Sequence, residues 1–132
     1  MAEVLDLTYE EVEIRFIAGD AIRFKVRAKQ RDPDDPGTEE APNIIPLPLD
    51  GYTVAAQVRK DLKKDTVLLA SFETEIDDVE TDLIWVYLPP SESELLRGVS
   101  AARWDLQITD DLGDPRTIMG GAMKPKGDVT RE

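Results

Sequence analysis

The sequence predicts an all-β domain: seven short strands arranged as a two-sheet sandwich, with one short helical turn. Three observations carry that expectation. Apolar and polar residues alternate with period two through most ordered-looking segments, as half-buried strands require. Turn chemistry built on Gly, Asp and Pro separates these segments at short intervals. One stretch alone, 91–98, carries both a helix start signal and a stop signal.

In order, Val12, Ile14 and Phe16 alternate with Glu11, Glu13 and Arg15 and form the first strand. Gly19-Asp20 turns the chain into the second, where Ile22, Phe24, Val26 and Ala28 alternate with Arg23, Lys25 and Arg27. Residues 29–48 break the pattern. Asp32-Pro33-Asp34-Asp35-Pro36-Gly37 is turn chemistry, and Pro46 and Pro48 cannot donate to a sheet ladder. A long acidic, proline-rich loop along a sheet edge is expected there. Asp50-Gly51 opens the third strand, with Val54, Ala56 and Val58 on one face and Ala55, Gln57 and Arg59 on the other. A polar turn over 60–66 leads to the fourth, with Leu68, Ala70 and Phe72 inward. The fifth is Leu83–Leu88, with Ile84, Val86 and Leu88 on the core face. After Pro89-Pro90 a helical turn is expected, capped by Ser91, with Glu94 as capping-box partner and Gly98 as the stop. Ala102, Trp104, Leu106 and Ile108 form the sixth strand, and a hairpin turn at 110–114 leads to the seventh over 117–124. Gly120-Gly121 inside it signals a bulge or a close backbone approach. Trp104 is expected at the centre of the core, beside Phe24 and Phe72. The sandwich then spans 11–124, flanked by an N-terminal arm at 1–10 and a C-terminal tail at 125–132.

A chain of 132 residues suits one domain. It has no Cys and no His, so disulfides, thiolate metal sites and every histidine-based nucleophile or general base are excluded. The net charge of −12 disfavours nucleic acid and anionic membrane. In the one basic cluster, Arg59-Lys60 and Lys63-Lys64, Asp61 and Asp65 interleave. The start, Met1-Ala2-Glu3, is acidic where a signal peptide needs a basic one, and no apolar run reaches membrane length. Folding in a cytoplasm is expected. Asp32, Asp34, Asp35, Glu39 and Glu40 are the best calcium candidates, but Pro33 and Pro36 and the glycine position do not fit an EF-hand, and a solvated loop is expected. Whether that loop, 32–40, takes calcium stays open from sequence. Asp110, Asp111 and Asp114 suit a hairpin turn without any ligand. No catalytic residue, cofactor or metal is therefore expected. Trp85 and Tyr87 alternate with the core residues of the fifth strand and face outward, or pack under the proline loop; exposed, they mark an interface.

Two stretches carry more than pattern. The first is Pro48-Leu49-Asp50-Gly51-Tyr52-Thr53-Val54-Ala55-Ala56-Gln57-Val58-Arg59, following the strand that starts after Gly19-Asp20. The second is Trp104-Asp105-Leu106-Gln107-Ile108-Thr109-Asp110, a Gly-containing turn, Ile118-Met119-Gly120-Gly121, and the closing Gly127-Asp128-Val129-Thr130-Arg131. In order and spacing they resemble the small immunoglobulin-like domains of tailed-phage structural proteins, such as those at the N-terminus of baseplate upper proteins and in tail-fibre-associated minor virion proteins. The resemblance runs from Val12 to Arg131 and implies an immunoglobulin-like sandwich. It also implies a non-enzymatic virion component, assembled in the host cytoplasm and held in a symmetric assembly by other virion proteins. No site is carried over with it. The sequence ends at Glu132, where such domains usually introduce a longer chain, and it carries the 29–48 insertion. Both features suit an adaptor, tail-tip or capsid-decorating subunit better than a fibre shaft. The leading expectation is a tail, baseplate or fibre-attachment adaptor, with 1–10, 125–132 and the long loop as contact elements. A capsid decoration (cement) protein is the alternative within the virion. A carbohydrate-binding or adhesion module with Trp85 and Tyr87 as its platform, and a carboxylate-only hydrolase, are the alternatives outside it.

Overall fold

Alternating side chains bury one side of a pleat, and the computed structural model turns each of these segments into strand. It describes residues 10–60, 67–99 and 102–126. The strands are β1 (Glu10–Glu11), β2 (Ile14–Phe16), β3 (Ile22–Arg27), β4 (Lys29–Arg31), β5 (Ile44–Pro46), β6 (Thr53–Lys60), β7 (Leu68–Ser71), β8 (Glu73–Ile76), β9 (Leu83–Leu88), β10 (Ala102–Thr109) and β11 (Pro115–Pro125). A single short helix, α1 (Pro90–Glu94), lies between β9 and β10 among the described residues.

The largest sheet has the order β1-β11-β10-β6-β7, with β2 also against β11. β1 and β2 run parallel to β11, and the other pairs are antiparallel. A second, antiparallel sheet has the order β3-β9-β8. β4 and β5 form a separate two-stranded arm. The chain passes from the first sheet to the second at Phe72, whose N–H still donates to Ala56 O at 2.9 Å while Glu73 already pairs with Tyr87.

The two larger sheets face each other across one apolar core. Trp104, on β10, is 1% exposed, and the ring of Phe24, on β3, meets it edge-on at 5.5 Å. Phe72 completes the cluster, 6.0 Å from both. Ala56, Val58, Ile84, Val86, Leu88, Leu106 and Ile108 are buried around it, on the faces that the alternation assigned them. The Trp104 indole N–H donates to Val12 O at 2.8 Å and ties the edge segment to the core.

Several expectations need correction. There are eleven strands among the described residues, not seven, and three sheets, not two. The first expected strand breaks into β1 and β2 where Val12 crosses Gly121; a Cβ there would stand 2.2 Å from Val12 O. The fourth breaks into β7 and β8 where Phe72 changes sheets. Residues 29–48 keep a loop at 32–43 but add the short β4–β5 pairing at its base, anchored by buried Leu47 and the adjoining Leu49. Leu68 is 47% exposed rather than inward, because the register slips between Val58 and Arg59 and leaves Leu69 as the extra residue, packed on the core. The bulge in β11 falls opposite Leu106/Gln107, at Ile118, whereas Gly121 provides the close approach.

The helix start is also different. Pro89 is the cap residue and makes no side-chain bond, and Pro90 opens the helix with its preset φ. Ser91 is not the cap. Glu94 pairs with Arg97, and Gly98 at φ 81° ends the turn as expected. Ser93 is fully buried; its hydroxyl accepts from Gly19 N–H at 3.0 Å and pins the helix to the β2–β3 turn. Glu10 and Pro125, expected in the arm and tail, belong to β1 and β11. The rest of the arm, residues 127–132 of the tail, and the turn residues 61–66 with Lys63-Lys64 lie outside the described residues.

Candidate functional site

The outward side of the β3-β9-β8 sheet gathers both aromatic residues singled out from sequence. The antiparallel register places Arg23 opposite Tyr87 and Tyr87 opposite Glu73. One row along, Lys25 is opposite Trp85 and Trp85 opposite Glu75. Each row therefore reads cation, aromatic ring, carboxylate across the sheet. The same phase that buries Ile84, Val86 and Leu88 puts these six side chains outside.

A cation lies over each ring. The Arg23 guanidinium lies 4.2 Å from the Tyr87 ring centroid, and the Lys25 ammonium 5.1 Å from that of Trp85. At exposed sites such contacts contribute about 0.5–1 kcal/mol each. The Trp85 indole N–H donates to Asp77 Oδ1 at 3.1 Å. The other Asp77 oxygen accepts from the backbone N–H groups of Glu80 at 2.9 Å and Val79 at 3.1 Å. The Glu80 amide first, then the Trp85 indole and the Val79 amide, hold the Asp77 carboxyl below the usual carboxylate range. Trp85 nevertheless stays 45% exposed. Around it the face forms a shallow open depression of about 540 Å³, walled by the β3 cations and the β8 acids.

Trp85 and Tyr87 thus lie where the alternation puts them, on the open face, and their ring partners are β3 and Asp77 rather than the proline-rich segment. Arg23, Lys25, Glu73 and Glu75 were the residues sequence reading missed. Their outward phase was visible, but their assembly into rows depends on strand pairing. Among the described residues no three acidic side chains come together as a metal site. Asp32 Oδ1 instead accepts from Asp34 N–H at 2.9 Å, and Asp110 Oδ1 accepts from the N–H groups of Leu112 and Asp114, each at 2.9 Å. One carboxylate in each acidic cluster, Asp32 and Asp110, thus braces its own turn. Among the described residues no helix is long and apolar enough to cross a membrane. Compared with known proteins, the chain matches no family model and no curated protein.

Proposed function

We propose that this chain is an immunoglobulin-like domain that serves as a non-enzymatic structural subunit of a tailed-phage virion, an adaptor in the tail, baseplate or fibre attachment. The observation that carries the attachment role is the outward face of β3-β9-β8, where Trp85 stands exposed and Tyr87 half-buried between charged edges. Aromatic residues in that setting are enriched at protein interfaces. The immunoglobulin-like reading draws on the division of strands: β3, β9 and β8 in one layer, β6, β10 and β11 in the other, as in sandwiches of that class. The core departs from the antibody pattern, since the buried tryptophan is on β10 and no disulfide joins the layers. The virion reading draws on the two sequence stretches, Pro48 to Arg59 and Trp104 to Arg131.

Antibody labelling of intact particles of the phage encoding this chain tests the reading. Label at the tail is the expected result. Label over the whole capsid would make it a decoration protein instead, and particles without the chain would end the virion reading. The carbohydrate alternative is less favoured by the face itself, because Arg23 and Lys25 lie over the rings a sugar would stack on.

A further inference from the structure

We propose that the outward face of β3-β9-β8 docks on the same face of a second copy, about a two-fold axis parallel to β9. Cations occupy one edge strand of the face, acids the other, and aromatic rings the middle. Turning a copy over about an axis along the strands lays its β3 above the first copy's β8. Lys25 then faces Glu75 and Arg23 faces Glu73, twice over by symmetry, while the Trp85 and Tyr87 positions, each ring with its cation over it, lie along the axis. An axis across the strands would stack β3 on β3, cation on cation. The isologous contact is complementary in one orientation alone.

The molecule's charge of −12 opposes association of copies. On these two rows, however, Arg23 and Lys25 balance Glu73 and Glu75, so the face is locally neutral. Beyond about 8 Å the rest is screened at physiological salt. Within one chain the backbones of β3 and β8 are separated by the width of β9, roughly 9.5 Å across two strand spacings, and the Lys25 ammonium lies over the Trp85 ring between them. Docking brings each charge within reach of an opposite partner. The footprint is small: six residues of β3 give a length of roughly 20 Å, and three strands a width of about 14 Å. That places the dimer among weak assemblies rather than obligate ones.

The pairing makes the symmetric assembly of the proposed function specific, but it rests on this face alone; a chain found in virions yet unable to dimerise would overturn the pairing and leave the virion reading standing. Sedimentation equilibrium of the full chain from about 10 μM to about 1 mM reads it directly. The expected mass rises from 14.8 kDa toward twice that value. Lys25→Glu and Glu75→Lys should each weaken dimerisation about tenfold or more, and the double variant should return to within about threefold of the original. Arg23→Glu with Glu73→Arg repeats the swap in the second row should either first-row variant fail to fold by circular dichroism. A chain monomeric throughout, single swaps without effect, or a folded double no better than its singles would each overturn the proposal.

Discussion

Trp104 does two jobs that one substitution separates. Its ring fills the centre of the core against Phe24 and Phe72, and its indole N–H satisfies Val12 O. Trp104→Phe keeps an aromatic ring but orphans that carbonyl, so a loss of about 1–3 kcal/mol is expected from the bond beyond the smaller ring's packing loss. Urea unfolding, with the slope unchanged and the midpoint lowered, checks it. Asp77 gives a pH signature at the same scale. Its folded-state pKa is depressed by the Glu80 amide, the Trp85 indole and the Val79 amide. The stability it contributes is therefore present above the ordinary carboxylate pKa and lost as pH falls through the folded value. In thermal melts the gap between the original chain and Asp77→Asn should narrow as pH is lowered through that window. A gap constant with pH would show that the carboxylate charge contributes nothing there.

Two elements reveal what periodicity can and cannot give. The inward positions of β6, β9 and β10 were legible because alternation fixes a strand's face without reference to its neighbours. The split of the edge into β1 and β2 was not, because it arises where Val12 and Gly121 meet, 109 positions apart in sequence. A Cβ at Gly121 would press on backbone, which cannot swing aside like a side chain. Gly121→Ala should cost about 3 kcal/mol or more, while Gly113→Ala, with open space but φ 88°, should cost about 1–2 kcal/mol. Urea midpoints order the two. The β4–β5 pairing at the base of the expected loop was not legible, because its order comes from Leu47 and Leu49, two apolar residues among prolines, sinking into the core. Leu49→Ala should therefore lose about 2–5 kcal/mol. Replacing the exposed tip, residues 33–41, by a two-residue turn should shift stability by no more than about 1 kcal/mol.

For the whole molecule the sequence exposed the balance of charge but not its layout. Trp85 and Tyr87 could be read as outward from their own strand. The cations and acids beside them come from strands far apart in the chain, and no local pattern announces which strands become neighbours. The same layout governs how stability responds to salt. The ion pairs Arg15–Glu13, Arg27–Glu80 and Arg103–Glu11 are all substantially exposed, where a pair contributes about 0–1 kcal/mol. Against them stands the self-repulsion of a compact chain at −12. Raising sodium chloride from about 0.01 M to about 0.15 M shortens the screening length from about 30 Å to about 8 Å, which removes most long-range repulsion while leaving contacts at a few ångströms largely intact. The melting temperature, measured at protein concentrations low enough to keep copies apart, should rise across that range. A fall would mean that the local pairs outweigh the net charge, and would require the charged surface to be far more ordered than its exposure indicates.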